Sequence, residues 1–214
     1  KWFVEGYGEL SGKWNFEIFK NENPIHLEIG CGKGSFIIET AMRNPDINFI
    51  GLERQDLILV MALQRARGID APDNLRFICG DAGGIENCFS ENEIDQIYIN
   101  FCDPWRSRGK WRKRRLTHGN FLIKYENIMK TPKILFKTDD RGLFQFSMDE
   151  LKRLDWTLEF FTFDLHADLA EKNDSVVTEY EQRFLEQGKK ICSLSASKLN
   201  KKIQNTLNAG LGLQ

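Results

Sequence analysis

The segment that decides the fold runs from Pro24 to Asn44 and reads PIHLEIGCGKGSFIIETAMRN. It begins with a short apolar run typical of a buried strand, and three glycines follow at alternate positions (GxGxG). The residues after the glycines have the pattern of a helix, which Asn44-Pro45 ends. Glycine permits a tight turn and lets a ligand approach the backbone closely. The segment therefore predicts a strand, a ligand-binding turn and a helix.

The alternation of strand and helix continues along the chain. Further strands are predicted over INFIGLE, LRFICGD, IDQIYINFCDP and KILFKTDD, and helices over QDLILVMALQRARG, THGNFLIKYENIMK and GLFQFSMDELKRL. Strands separated by helix-length segments favour right-handed crossovers and a mainly parallel α/β sheet with helices on both faces. Near the end of the chain, a helix over TEYEQRFLEQG lies between two strands, WTLEFFTFDLH and KKICSLSA.

The composition is that of a soluble globular protein: 214 residues, 41% apolar, 29% charged, with a formal net charge of -1. We expect a single domain over 1–214, whose polar, glycine-rich segment 1–23 is flexible. The five cysteines form no CxxC pair and no Cys/His cluster, so we expect no metal and a reducing, cytoplasmic environment. No apolar run is long enough to span a membrane, which predicts no membrane association.

Acidic residues occur at the ends of five successive predicted strands: Glu28, Glu53, Asp81, Asp103 and Asp139. Ligands of such sheets bind beyond the carboxyl ends of the strands. A carboxylate at Glu28 would repel a pyrophosphate but suits a cofactor that carries an ammonium and a sulfonium. Glu53 can accept from both ribose hydroxyls, and Asp81 from an adenine amino group. The set favours S-adenosylmethionine over a nicotinamide dinucleotide.

A basic run follows Asp103-Pro104-Trp105, with seven arginines and lysines between Arg106 and Arg115 and no acidic residue among them. Such a run can be a solvated loop. Beside a predicted ligand site, it can also bind the phosphates of a nucleic acid. Trp105 can stack on a base or wall the pocket. The arginines expected to contact the polyanion are Arg106, Arg108, Arg112 and Arg114.

The motifs EIGCGKG, GLE, GDA, DPW, KTDD and TEYE occur in the order and approximate spacing of the bacterial tRNA (guanine-N7)-methyltransferases. The chain resembles that family from about Gly12 to Ala196. The resemblance implies a Rossmann-like class I methyltransferase fold, with seven strands of which the last is antiparallel. It also implies methyl transfer from S-adenosylmethionine to N7 of a guanosine in the variable loop of tRNA, by a monomer or homodimer.

The resemblance also assigns roles to residues. It implies that the cofactor is bound by Glu28, Gly30, Gly32, Gly34, Glu53, Asp81 and Asp103, of which Asp103 is also the catalytic residue. It implies that tRNA is bound by Asp139, Thr178, Glu179, Tyr180 and Glu181. Thr178 and Glu181 also match the capping box of a helix, and both roles can hold.

Some alternatives stay open. Asp103, Asp139 or Glu181 can accept from the Watson–Crick edge of guanine. The family usually has a proline and a lysine where this chain has Arg106 and Ser107, so a substrate role for Ser107 does not follow. The alternative function is methyl transfer to another RNA, a protein or a small molecule, which the basic run and TEYE disfavour.

Overall fold

A seven-stranded sheet forms the centre of the computed structural model, which describes residues 1–106, 109–168 and 176–199. In chain order the strands are β1 (Ile25–Ile29), β2 (Asn48–Glu53), β3 (Leu75–Cys79), β4 (Gln96–Asn100), β5 (Lys133–Thr138), β6 (Thr157–Thr162) and β7 (Cys192–Ser197). Their order across the sheet is β3-β2-β1-β4-β5-β7-β6. Strands β1 to β5 pair in parallel, whereas β7 is antiparallel to β5 and β6. The predicted fold class is confirmed.

Helices connect the strands where the periodicity predicts them, with one correction: the strand predicted over WTLEFFTFDLH ends at Thr162, and its last two residues, Leu165 and His166, begin a short helix. They are α1 (Ser35–Arg43), α2 (Asp56–Gly68), α3 (Gly119–Ile128), α4 (Arg141–Arg153), α5 (Leu165–Asp168) and α6 (Glu179–Glu186). Short 3-10 helices cover Tyr7–Leu10, Ala82–Asn87 and Gly109–Arg114, and a π-helix covers Trp14–Phe19. Across the described ranges, no helix combines the length and the apolarity that a membrane crossing needs.

The central strands are apolar along their whole length because both faces of the sheet are covered. Successive side chains of β2 enter opposite cores: Phe49 packs in one cluster and Ile50 in the other. Helices α1 and α2 contribute to the Phe49 cluster, and α3 and α4 contribute to the Ile50 cluster. Strand β1 has β2 on one side and β4 on the other, so the strand order reverses between β1 and β4. A crevice forms at the carboxyl ends of the strands at this point.

The N-terminal segment is held against the core in this structure. Trp14 is 0% exposed, and its indole N–H donates to the carbonyl of Cys88 at 2.9 Å. The backbone N–H of Val4 donates to the carbonyl of Phe77 in β3 at 3.0 Å. The flexibility expected for 1–23 concerns motion and stays a prediction. If this segment moves as a whole, the buried Trp14 side chain has to leave the core.

Replacing Trp14 by alanine tests this anchoring. The variant removes a large buried side chain and a buried hydrogen bond, so we expect the free energy of unfolding to fall by about 3–5 kcal/mol. Urea denaturation followed by circular dichroism measures the change.

Phe16 provides the matched control because it lies in the same π-helix with 83% of its surface exposed. The Phe16→Ala variant should change the unfolding free energy by no more than about 0.5 kcal/mol. Equal, small effects in both variants would mean that the segment is detached in solution.

Candidate active site

A cleft of about 640 Å³ opens at the carboxyl ends of the central strands. Its walls come from the glycine turn after β1, the end of β2, the residues after β3 and β4, and the start of α6. Predicted site residues that line it are Glu28, Gly30, Glu53, Asp81, Asp103, Arg114, Thr178, Glu179 and Tyr180. The fold thus brings together side chains from five separate parts of the chain.

The glycine turn is shaped by backbone conformation and by Glu53. Gly32 has a φ of +55°, and a Cβ there would meet open space. Gly34 has a φ of +74°, and its Cβ would lie 3.0 Å from the Ala62 side chain, so glycine lets α1 and α2 approach. The Glu53 carboxylate accepts from the N–H of Gly32 at 3.0 Å and from that of Gln55 at 2.9 Å. Glu53 therefore holds the turn.

Glu28 lies at the floor of the cleft and is 2% exposed. Its Oε1 accepts from the side-chain amide of Asn100 at 2.9 Å, whereas Oε2 is buried with no partner among the described residues. Burial raises the pKa of Glu28 to about 8, with a further contribution from Glu53, against the hydrogen bond from Asn100. The sequence analysis did not identify Asn100 as a site residue. The feature that could have indicated it is an amide side chain at the end of an apolar strand.

Asp103 follows β4, is exposed, and lines the cleft. The structure gives its carboxylate no hydrogen-bond or ion-pair partner among the described residues. The neighbouring Cys102 has its thiol pKa raised to about 12 by burial, so it is protonated at neutral pH and is a poor nucleophile. Asp103 is therefore the group of this wall that is free to meet a ligand.

Asp81 stands at the mouth of the cleft as the N-cap of the Ala82–Asn87 helix. One oxygen accepts from the N–H of Gly83 at 2.7 Å. The other lies 3.8 Å from a guanidinium nitrogen of Arg54, and 59% of the Asp81 side chain is exposed. One of its oxygens thus stays accessible to a hydrogen-bond donor.

Two tryptophans and an arginine form a stack beside Asp103. The rings of Trp105 and Trp111 are 5.6 Å apart and inclined by 4°. The guanidinium of Arg114 lies 4.4 Å from the Trp111 ring and 5.0 Å from the Trp105 ring. Trp105, Lys113 and Arg114 line the cleft, so this part of the basic run faces the site itself.

Two other arginines of the run, Arg106 and Arg115, hold the loop in place. Arg106 pairs with Asp140 at 2.7 Å. Arg115 is 8% exposed, donates to the carbonyl of Pro104 at 2.9 Å, and lies 4.4 Å from the Phe146 ring. Arg112 is exposed on the 3-10 helix. The prediction for Arg108 and the departure at Ser107 lie outside the described residues.

The TEYE segment forms the predicted capping box at the start of α6: the Thr178 hydroxyl accepts from the N–H of Glu181 at 2.9 Å, and the Glu181 side chain accepts from the N–H of Thr178. Thr178, Glu179 and Tyr180 line the cleft, and Glu179 pairs with Arg65 of α2. Glu181 is 0% exposed and lies behind this wall.

Asp139 follows β5 and pairs with Lys189 at 2.8 Å, with 18% of its side chain exposed. Neither Asp139 nor Glu181 belongs to the described residues that line the cleft. Of the three carboxylates that could accept hydrogen bonds from the Watson–Crick edge of guanine, Asp103 is the one that lines the cleft.

The donor set fits S-adenosylmethionine, the cofactor that the sequence resemblance implies. The second oxygen of Glu28 is buried and has no partner among the described residues, and once the carboxyl gives up its proton this oxygen can accept from an ammonium. Glu53 and Asp81 add acceptors for hydroxyl and amino groups along the same cleft. Within the described part of the chain, no group of three His, Cys, Asp or Glu side chains could hold a metal ion.

Comparisons with known proteins agree with this interpretation. A family described as putative methyltransferase matches residues 22–194. The tRNA (guanine-N(7)-)-methyltransferase of Clostridioides difficile (strain 630) is 43% identical over 193 residues, which cover 90% of this chain and 88% of that protein. The enzyme of that name from Listeria monocytogenes serovar 1/2a is 44% identical over 195 residues, covering 91% and 89%.

Solved structures share the fold at low sequence identity. An antibiotic-related methyltransferase superposes with a TM-score of 0.62 at 18% identity, covering 93% of this chain and 96% of that chain. The 16S rRNA methyltransferase KamB superposes with a TM-score of 0.61 at 11% identity, covering 86% and 91%. These likenesses show the fold alone.

The raised pKa of Glu28 predicts a pH dependence of stability. The folded protein holds the Glu28 proton up to about pH 8, whereas the unfolded chain releases it near the ordinary pKa of 4.5. Between these values the folded state binds more protons, so its stability falls as pH rises, by up to about 1.4 kcal/mol per pH unit. Below this window and above it, Glu28 adds no slope.

The Glu28→Gln variant keeps an acceptor for Asn100 and removes the titration. We expect its unfolding free energy, measured in urea at several pH values without cofactor, to be less pH-dependent than that of the wild type. Parallel pH profiles for the two proteins would contradict the assignment of the buried proton to Glu28.

Proposed function

The chain belongs to the tRNA (guanine-N(7)-)-methyltransferases, and from this premise we propose that its cleft transfers a methyl group from S-adenosylmethionine to N7 of a guanine in tRNA. The observation that carries the proposal beyond family membership is the pairing of two carboxylates in one cleft. Among the residues that the structure describes, one buried oxygen of Glu28 has no partner and the Asp103 carboxylate on the cleft lining has none either. Both suit a cationic methyl donor.

The reaction needs little acid–base chemistry from the protein. N7 of guanine has an available lone pair, so no general base is needed to make it nucleophilic. The cofactor supplies an electrophilic methyl group on a sulfonium. What the chain's own residues do is hold the two reactants in line, which can account for a large part of the rate enhancement.

We assign the cofactor to the half of the cleft formed by β1, β2 and β3. Glu28 would accept from the ammonium, Glu53 from ribose hydroxyls and Asp81 from the adenine amino group. Gly30 lines the cleft, and without a side chain it allows the cofactor to approach its backbone closely. The spare lone pairs of Glu53 remain available, since a carboxylate offers about four acceptor positions for the two N–H groups it already binds.

We place the target guanine between Asp103 and the Trp105–Trp111–Arg114 stack. The Asp103 carboxylate, which has no partner among the described residues, can accept from the guanine N1–H and amino group, and adenine cannot donate in the same pattern. It can also stabilise the positive charge that passes to the purine. The Trp105 face and the Arg114 plane offer stacking for a base taken out of the RNA.

The tRNA itself would dock on the exposed part of the basic run. Arg112 and Lys113 lie on a 3-10 helix at the cleft mouth, where phosphates close to the target base would pass. The sequence resemblance supports a target guanosine in the variable loop, and a tRNA substrate supports a cytoplasmic location. Affinity of this electrostatic kind falls steeply with salt.

The Asp103→Asn variant tests the catalytic assignment. Removing the charge next to the developing cation should lower kcat at saturating cofactor and tRNA by about 10²–10³-fold. The measurement is transfer of labelled methyl from S-adenosylmethionine to an unmodified tRNA transcript, followed by digestion and identification of 7-methylguanosine.

Asp46→Asn is the matched control, because Asp46 is exposed in the turn before β2, at the end of the strands that is opposite the cleft. It should keep wild-type turnover.

A transcript made with 7-deazaguanosine lacks the nitrogen that accepts the methyl group and should take no label. Transcripts with single guanosines of the variable loop replaced by adenosine locate the target. Full turnover by Asp103→Asn would overturn its role, and label on the deaza transcript would overturn the N7 assignment.

Charge removal on the basic run tests the docking surface. The Arg112→Gln and Lys113→Gln variants should weaken tRNA binding and lower the slope of log K against log salt by about one for each phosphate that is no longer neutralised. Filter binding across a salt series measures both quantities.

Lys152→Gln serves as the control, since Lys152 is an exposed cation in the last turn of α4. This turn lies at the end of the parallel strands that is opposite the cleft. It should leave the slope unchanged. Identical slopes for Arg112→Gln, Lys113→Gln and the wild type would remove the basic run from the docking surface.

A further inference from the structure

A buried charge cluster lies behind the Thr178–Tyr180 wall of the cleft. Its centre is Glu181, which is 0% exposed. One carboxylate oxygen of Glu181 is 3.2 Å from the ammonium of Lys137, at the end of β5, and the other is 2.7 Å from Nε2 of His166, in α5. Lys137 is 8% exposed and also donates to the carbonyl of Val176 at 3.3 Å. The cluster therefore joins β5, α5 and the start of α6.

A buried ion pair of this kind is a weak source of stability. The desolvation of both charges offsets much of their attraction, and well-packed apolar residues of similar volume are often as stable or more so. Removing one member is different, because it leaves the other charge buried without its counter-charge. The pair therefore fixes geometry better than it stabilises the fold.

The geometry that it fixes belongs to the cleft. Glu181 accepts from the N–H of Thr178 at 3.4 Å and donates its own N–H to the Thr178 hydroxyl at 2.9 Å. Lys137 binds the carbonyl two residues before Thr178. Both ends of the short segment from Val176 to Glu181 are thus tied to the sheet, and its middle residues face the cleft.

We propose that Lys137 and Glu181 are a positioning pair for the RNA substrate. They hold Thr178, Glu179 and Tyr180 in place on the cleft wall, and neither contacts the substrate itself. The proposal rests on the function given above, and it assigns to Glu181 an indirect role rather than contact with the guanine edge. Glu181 is 0% exposed and does not belong to the described residues that line the cleft, whereas Thr178, Glu179 and Tyr180 do.

A double-mutant cycle separates the two roles. Glu181→Gln keeps the size and the capping hydrogen bonds but removes the charge, and Lys137→Met removes the partner charge at similar length. Each single variant should raise the KM for tRNA by about tenfold, as expected for coupled neighbours, with kcat changed less than twofold. The double variant, which leaves no uncompensated charge in the pair, should return to within about threefold of the wild-type KM.

Binding of tRNA by filter assay and the affinity for S-adenosylmethionine are measured on the same four proteins, with thermal unfolding to show that each is folded. Cofactor affinity should stay constant across the cycle. If Lys137→Met unfolds, Lys137→Arg keeps the charge and should keep the KM within about threefold of the wild type.

A double variant as impaired as Glu181→Gln would overturn the proposal, because a carboxylate that contacts the substrate cannot be rescued by removing Lys137. Unchanged tRNA affinity in both single variants would overturn it as well. A wild-type protein that binds tRNA but transfers no methyl group would instead contradict the proposed function, and the binding cycle would still decide the positioning role.

Discussion

The hydrogen bond from Asn100 to Glu28 joins β4 to β1 where the strand order reverses, and the cleft is organised around it. Parallel strands that part at such a point leave a crevice at their carboxyl ends. Glu28 occupies the floor of that crevice with one oxygen bonded and the other unpartnered among the described residues. Burying such an oxygen is unfavourable by a few kcal/mol, on the order of 1–3 for an unsatisfied polar group. The free protein is therefore less stable at this position than an apolar residue would make it, and under the proposed function a cationic ligand would offset that loss.

Glu28 and Glu53 show how two neighbouring carboxylates take different roles. Both oxygens of Glu53 accept from backbone N–H groups, so this side chain gives the glycine turn its shape before any ligand arrives. Glu28 keeps an oxygen without a partner among the described residues, so under the proposed function it would select the charge of the ligand. Asp103 differs from both, because it is exposed on a loop and is free of partners among the described residues. Under the proposed function, the shape of the turn, the selection of ligand charge and the chemistry would thus fall to three different acidic residues.

Periodicity and strand ends account for what the sequence could predict. Apolar runs located the strands, and because parallel strands end at one edge, Glu28, Glu53, Asp81 and Asp103 could be expected to meet. The pairings of Asp139 with Lys189 and of Glu181 with Lys137 could not, since each joins residues more than forty positions apart through tertiary packing. The capping box of α6 was visible because it is local. Local patterns and shared edges can be read from sequence, whereas the partner of a buried charge cannot.

The loop after β4 shows how a basic run serves both packing and binding. The family's usual proline restricts a backbone dihedral covalently, and this chain has Arg106 there. The Arg106–Asp140 pair is a weak substitute, because 75% of the Arg106 side chain is exposed and exposed pairs contribute about 1 kcal/mol or less. Arg115 holds the loop more firmly, since it is buried and donates to the carbonyl of Pro104. Burial therefore decides which arginines hold the loop, and on the 3-10 helix before Arg115 two cations stay exposed: Arg112, and Lys113, which lines the cleft. The basic run thus combines a buried arginine that holds the loop with exposed cations that a polyanion can reach.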